Sequence, residues 1–532
     1  MISRFYLCIP AISVFLLIRP SAAEAQEDPS GSRPVIETQG VSFSVPNTAT
    51  SGIDYNTPVT TLTDAIERSY LTDPALMAER SRTRASEYRL VEANGAFGPR
   101  ADYQLRYGYQ WDRADIVSDL FITRSGWSAA ASVALSQPIF TFGRLTADRR
   151  QAEALLKLQS ALAREAEQET VFQVISAYIG VLRDRNALQI SEDNRAILGQ
   201  QFEDTKSRYL AREATVTDLR QVETRMEFAQ AQTSIAKGAL AATEADFRAS
   251  TGSPAGDLAP PNPLVVPPRT LEDALRIAEN DNPLLAAANA REQASRAVAA
   301  GAAAARAPRV DFRGQADLNP VSPYSNERRQ TGLSGQVVVS APLFDGGVLA
   351  ARVEQARAAN DADWHLVDRT RRELAAELNQ SWAAWISQEK ALADLSAAVD
   401  AAQSAYQGAL EQQRAGFVTT LDALTLAREL LTARSTLNTL QADTYISRAR
   451  TLRALGLLRV SFLLPDFRNG SAPGHRNGPP LWGVLNPLTP LFRQFDALFP
   501  PPVSPRQSRD VTDPLDPASI RTQGEFAERP AD

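Results

Sequence analysis

Four stretches of the chain alternate between apolar and polar residues with a period of two. In the first, Ala101, Tyr103, Leu105, Tyr107, Tyr109 and Trp111 interleave with Asp102, Gln104, Arg106, Gly108, Gln110 and Asp112. In the second, Trp127, Ala129, Ala131, Val133 and Leu135 interleave with Ser128, Ala130, Ser132, Ala134 and Ser136. Val310, Phe312, Gly314, Ala316 and Leu318 form the apolar set of the third, and Leu333, Gly335, Val337 and Val339 that of the fourth. Such alternation puts one set on each face of a strand. It predicts two hairpins, 100–136 and 309–340, closed by polar loops at 113–126 and 319–332. Half-buried sheets in soluble proteins alternate too. Two features favour a membrane here: each strand is about 10 residues long, enough to span a bilayer, and Tyr and Trp sit towards the ends of the apolar face. Four strands are too few to close a membrane barrel, and an open edge in lipid leaves backbone groups unpaired. Such a chain is therefore expected to oligomerise, each subunit giving one sector of the wall.

Between and after the hairpins the period changes to that of helices. From Arg144 to about Leu210 there is no proline, and Ala, Gln, Glu, Arg and Leu dominate. At 1.5 Å per residue this predicts a helix roughly 100 Å long, a coiled-coil type of element. Val171, Val174, Tyr178 and Val181 step by three and four, as a buried seam does. A second long helix is expected from Arg352 to Arg414. In its return helix, Leu424, Leu431, Asn438, Tyr445 and Leu452 recur every seven residues, with the polar Asn438 suited to fixing register.

The pattern occurs twice. Thr61-Leu62-Thr63-Asp64-Ala65 returns as Thr270-Leu271-Glu272-Asp273-Ala274, and Asp73-Pro74 returns as Asn282-Pro283, both 209 residues on. Ser136-Gln137-Pro138-Ile139-Phe140-Thr141-Phe142-Gly143 returns as Ser340-Ala341-Pro342-Leu343-Phe344-Asp345-Gly346-Gly347, offset by 204. The helix turns 208–218 and 414–422 keep that second offset, and Thr215 with Asp218, and Thr419 with Asp422, are capping boxes at a helix start. Shared register over such distances marks an internal duplication. The expected organisation is a signal peptide 1–25, an N-terminal periplasmic arm 26–59, a first structural repeat 60–250, a Pro-rich linker 251–269, a second structural repeat 270–458 and a Pro-rich C-terminal tail 459–532. Pro138, Phe140 and Gly143, and Pro342, Phe344 and Gly347, mark the junctions from strand to helix: proline lacks the N–H of a ladder and glycine permits a sharp turn. The tail is expected to be mobile, with a short amphipathic turn through Phe492, Phe495 and Phe499.

Composition narrows the function. The net charge is −6, with no basic signature for nucleic acid. The only cysteine, Cys8, falls inside the signal, whose apolar core runs from Phe5 to Ile18 before Ala23-Glu24-Ala25. An exported chain without disulfides or thiol chemistry is implied. The two histidines, His365 and His475, lack a cysteine or clustered carboxylates as metal partners, and no phosphate loop or nucleophile elbow occurs. No enzyme activity, cofactor or metal site is expected.

The duplicated Thr-Leu-x-Asp-Ala opening, the Asn/Asp-Pro break, the (Gln/Ala)-Pro-(Ile/Leu)-Phe-x-x-Gly junction and the Arg-x-x-x-Gly-x-x-Thr-x-x-Asp turn resemble the TolC-type outer-membrane efflux proteins over residues 60–458. The resemblance implies an α+β membrane protein in the outer membrane of a Gram-negative bacterium. Its homotrimer would form a 12-stranded β-barrel, four strands per subunit, continued across the periplasm by a long α-helical coiled-coil barrel. It implies the passive exit duct of a tripartite efflux pump or type I secretion system. The partners would be a periplasmic adaptor (membrane fusion protein), an inner-membrane ABC or RND-type transporter, and outer-membrane lipid. The alternative is a periplasmic coiled-coil adaptor or scaffold whose strands form a soluble sheet. The resemblance also places the gate at the two helix turns, with Asp218, Asp422, Thr217, Thr419, Arg212 and Arg414 at the constriction. Around a trimer, Asp218 and Asp422 would form carboxylate rings that favour cations; both also serve as helix caps. The sequence departs from the family where Val418 replaces the gate arginine, Thr425 the second acidic residue and Arg212 the usual turn glycine. A differently held gate, using Arg212, Glu213 or Arg414, is expected.

Overall fold

A computed structural model describes residues 57–117, 120–415, 417–464, 494 and 496, all within one compact unit, Ala49–Asp532. The signal peptide, the arm up to residue 56 and the turn through Phe492, Phe495 and Phe499 lie outside the described residues. In chain order the elements are α1 (Leu62–Thr72), α2 (Pro74–Gly95), β1 (Arg100–Val117), β2 (Leu120–Phe140), α3 (Arg144–Leu210), α4 (Val216–Thr251), α5 (Leu271–Asp281), α6 (Pro283–Ala304), β3 (Arg309–Ser322), β4 (Ser325–Ser340), α7 (Val348–Arg414), α8 (Thr420–Ala454) and α9 (Val460–Leu463).

Local chemistry sets the boundaries. Thr61 and Thr270 accept from the backbone N–H of Asp64 and Asp273 and start α1 and α5. The breaks before Pro74 and Pro283 use one residue twice. Asp73 closes α1 and caps α2 by accepting from Ala75 and Leu76, and Asn282 does the same for α5 and α6 through Leu284 and Leu285. Each proline sits at the first helical position, where its missing N–H costs nothing. Asn282 also donates to the Ala454 carbonyl at 3.0 Å, tying the break to the end of α8.

The four strands form one antiparallel sheet in the order β1-β2-β3-β4, so the two hairpins are joined through β2 and β3, and β1 and β4 are its edges. The strands are longer than their alternation alone suggests. The stretches 113–126 and 319–332, expected as loops, are mostly ladder: pairing continues to Val117 with Leu120 and to Ser322 with Ser325. Backbone bonds hold a hairpin together whatever its side chains, so polar residues extend the ladder once the apolar part has fixed the register. Pro138 also lies inside the ladder rather than at its end, opposite Asp311, with an irregularity before Phe140 meets Val310.

The helices pack around a core at mid-length of the long pair. Val171, Val174, Ile175 and Tyr178 of α3 meet Phe247 of α4, Leu374 and Leu378 of α7, and Leu452 of α8, together with Leu455 and Leu458 beyond it. The whole seam expected on α3 is buried, as are Leu424, Asn438 and Leu452 of the α8 heptad, while Leu431 and Tyr445 are half-buried. Each fully buried aliphatic or Phe side chain contributes roughly 1.5–3 kcal/mol. The Tyr178 hydroxyl reaches the Ala259 carbonyl at 2.6 Å, so burying it leaves no polar atom stranded. Asn438 donates to the Arg183 carbonyl of α3 at 2.8 Å, a polar link between α3 and α8 in an apolar interface.

Helix α8 ends in a Schellman turn, with Leu457 N–H on Leu452 C=O and Gly456 N–H on Arg453 C=O. Gly456 has φ +77°, and a Cβ there would lie 2.4 Å from the Asp281 carbonyl oxygen. Backbone strain alone costs about 1–2 kcal/mol for a non-glycine residue in this conformation. Gly456→Ala is therefore expected to destabilise by at least about 2 kcal/mol, measured as a lowered melting temperature of the purified protein; an unchanged melting temperature would show that the α5–α8 contact yields at no cost.

Candidate functional site

The sheet is amphipathic across all four strands, in register. Tyr103 stands opposite Val133, Val133 opposite Ala316, and Ala316 opposite Leu333. Leu105, Ala131 and Leu318 make the next row. This face is bare: Tyr103 is 80% and Leu333 89% exposed, and Tyr107, Tyr109, Trp111, Trp127, Val337 and Val339 are exposed beside them. Rows of the other face read Asp102, Ala134, Gln315, Ser334 and Gln104, Ser132, Asp317, Gly332. One side of the sheet is thus suited to hydrocarbon and the other to water. The aromatic side chains cluster, with Tyr107 and Trp127 stacked at 5.1 Å and Tyr109 tilted against Trp127 at 5.3 Å.

The structure gathers Pro138, Phe140 and Gly143 at one junction and Pro342, Phe344 and Gly347 at the other. Gly143 and Gly347 are the N-caps of α3 and α7 with φ 82° and 86°. The first junction is largely enclosed. Gln137 is buried and donates to the Phe97 carbonyl at 2.9 Å, and the rings of Phe140 and Phe142 lie 4.3 Å apart. The second, on the edge strand β4, is open, with Phe344 92% exposed.

At the far ends of the long helices lie the two turns. Asp218 Oδ2 accepts from the Thr215 hydroxyl at 2.7 Å and the Thr215 N–H at 3.0 Å, while Asp218 N–H donates back to Thr215 Oγ1 at 3.1 Å. Asp422 and Thr419 repeat the arrangement at 2.6, 3.3 and 3.2 Å. Both capping boxes are complete. The bonds from the Thr215 hydroxyl and N–H, and more weakly the charge of Arg208, hold the Asp218 carboxyl below its ordinary range. Thr217, Thr419, Arg212 and Glu213 are exposed, and among the described residues Arg212 and Glu213 form no ion pair. Arg414 is the last residue of α7, and its side chain lies outside the described residues. Thr425 bonds back to the Leu421 carbonyl of its own helix at 2.9 Å.

The link between the turns is one that residue types did not single out. Arg225 of α4 donates to the Leu424 carbonyl of α8 at 2.7 Å, above a small core of Leu198, Val222, Ala229 and Leu424. Burial and the nearby Arg428 charge lower the pKa of its guanidinium. The Val222 and Leu424 positions carry the signal of a packed seam, but nothing local marks Arg225 as the bridging group.

Comparison with known proteins settles the family. The profile described as outer membrane efflux protein matches residues 65–253 and 274–457, most of the chain and once for each repeat. The chain belongs to the outer membrane efflux protein family. It is 23% identical to the outer membrane efflux protein BepC of Brucella suis over 404 residues, covering 76% of this chain and 87% of BepC. It is 24% identical to the alkaline protease secretion protein AprF of Pseudomonas aeruginosa over 437 residues, covering 78% and 89%. The fold is similar to that of the outer membrane protein VceC of Vibrio cholerae, with a TM-score of 0.64 at 17% identity over 74% of this chain and 96% of VceC. This efflux protein is an outer-membrane channel of the efflux and type I secretion kind, with a β-sheet sector in the outer membrane and long helices extending into the periplasm. Family and fold are those of passive channels. The scaffold alternative with a soluble sheet is set aside.

In this channel, Arg212 occupies the left-handed position of the Schellman turn that ends α3. Its φ is 65°, with Glu213 N–H on Arg208 C=O at 2.8 Å and Arg212 N–H on Tyr209 C=O at 3.0 Å. Arginine bears there a strain that a glycine would avoid. Arg212→Gly is expected to stabilise the tip by about 1 kcal/mol, read as slower amide exchange at the end of α3; faster exchange would mean the arginine side chain holds the turn.

Proposed function

We propose that three copies of this chain close a twelve-stranded barrel and act as the passive, non-enzymatic exit duct of a tripartite efflux or secretion machine. The observation that carries this reading is the sheet with one apolar face and two open edges, β1 and β4. Hydrocarbon offers no partner for backbone N–H and C=O groups, so both edges must pair, and copies of the same chain present β4 to β1 around a ring. The polar rows then line a water-filled lumen. Two duplicated units, 60–250 and 270–458, build the wall, and the linker 251–269 returns the chain between them.

The helix tips serve as the periplasmic entrance and docking end. Leu210, Val216 and Phe417 are exposed there, an apolar rim that fits a periplasmic adaptor linked to an inner-membrane ABC or RND-type transporter. In this reading the energy comes from that transporter. Rings of Asp218 and Asp422 form the constriction and favour cations, and the threonine caps fix each carboxylate at the mouth. Arg225 holds α4 to α8 through the Leu424 carbonyl.

Planar-bilayer recordings test the reading. Discrete single-channel steps are expected from the purified protein, with block by divalent cations added on the periplasmic side. Asp218→Asn with Asp422→Asn keeps acceptor oxygens for the caps while removing both charges, and is expected to weaken the block several-fold. Channels with unchanged block would remove these residues from the gate, and an absence of steps would contradict the duct itself.

A further inference from the structure

The two strand-to-helix junctions have matched sequences but are satisfied differently. At the second, Asp345 accepts from the N–H of Gly347 at 3.0 Å and of Leu349 at 2.6 Å, and these bonds hold its carboxyl below the ordinary range. Gly346 and Gly347 take the left-handed conformations of the turn, with φ 64° and 86°. At the first junction the positions of Asp345 and Gly346 are filled by Thr141 and Phe142. The Thr141 hydroxyl takes over one of the two bonds, accepting from Leu145 N–H at 3.2 Å. It has no second oxygen for Gly143. Phe142 is forced to φ 51°, a conformation that a bulky L-residue adopts only under constraint.

The missing carboxylate arrives from the far end of the chain. Oδ1 of Asp496 accepts from Thr141 N–H at 2.7 Å, Thr141 Oγ1 at 2.7 Å and Gly143 N–H at 3.2 Å. Its Oδ2 accepts from Thr146 N–H at 3.2 Å and Thr146 Oγ1 at 2.9 Å. Asp496 is 2% exposed, and Thr141 and Thr146 are buried around it. A buried carboxylate is tolerated only when its lone pairs are met, and here five donors meet them at the positive end of α3. We propose that the first junction is a docking site for the chain's own C-terminal segment, with Asp496 supplying there the carboxylate that Asp345 supplies within the second junction. Asp496 is then a tether at the point where the first hairpin becomes the long helix, and it holds Phe142 in its strained conformation. Thr146 completes the site, and its hydroxyl has no equivalent donor in the second repeat, where the matching position is Ala350.

Amide exchange on the whole purified protein, read by mass spectrometry, tests this. In Asp496→Ala, exchange in the segment holding Thr141, Gly143 and Thr146 is expected to rise about tenfold or more, as for loss of hydrogen bonds to a charged group. The segment holding Gly347 and Leu349 is expected to stay unchanged. Adding Thr141→Asp to Asp496→Ala places a carboxylate where Asp345 has one, and is expected to restore protection at Gly143 and Leu145. Thr141→Asp alone sets two carboxylates against each other and is expected to release the tail to protease. If Asp496→Ala fails to accumulate, recovery of the protein by the added Thr141→Asp supports the same conclusion, and no recovery contradicts it. Unchanged exchange at the first junction in Asp496→Ala, or a tail as protected in Thr141→Asp as in the natural chain, would overturn the proposal.

Discussion

Backbone hydrogen bonding in a medium without water governs this molecule. Every peptide group that enters hydrocarbon needs a partner, and each unmet one costs several kcal/mol. No helix among the described residues is long and apolar enough to cross a membrane. The exposed apolar face is that of the sheet. One chain offers four of them, with β1 and β4 unpaired along their outer edges. The proposed assembly, the polar lumen and the long periplasmic helices all follow from how those edges are completed. Each hairpin also leads into a helix of 67 residues through one of the two junctions.

The duplication shows how one structural problem can be met in two ways. Both junctions need a carboxylate over the first turn of a long helix and two consecutive residues with positive φ. The second repeat encodes all of this locally, in Asp345, Gly346 and Gly347. In the first, Thr141 and Phe142 stand at two of these positions, and Asp496 accepts from the N–H of Gly143, the counterpart of Gly347. The helix tips diverge in the same way. Arg212 bears strain at a turn position suited to glycine, and the bond of Arg225 to the Leu424 carbonyl joins the two helix pairs across the repeats.

What the sequence made legible was whatever is local or periodic. The alternation in 101–111 and 127–135 shows the strands and their faces because a side-chain period of two needs no tertiary partner. The bounds of α3 fall where proline-free helical spacing runs from Arg144 to Leu210, and the Thr-x-x-Asp signatures name the caps at Asp218 and Asp422. Less visible was where the hairpins end, since polar residues carry a ladder as well as apolar ones and leave no alternation to read. Pro138 was misleading for a related reason: proline marks an irregularity, and here the ladder resumes beyond it. Arg225 and Asp496 were invisible because each acts on a partner far away in the chain, Leu424 for one and Thr141 for the other.

Closure of the wall by identical copies is the claim on which the rest stands. Its most direct test is the mass of the particle extracted from outer membranes in mild detergent, measured by native mass spectrometry. Three chains per particle are expected, with loss of that state accompanied by loss of the strand signal in circular dichroism. A single chain that stays folded in water without detergent, with both hairpins intact, would contradict it.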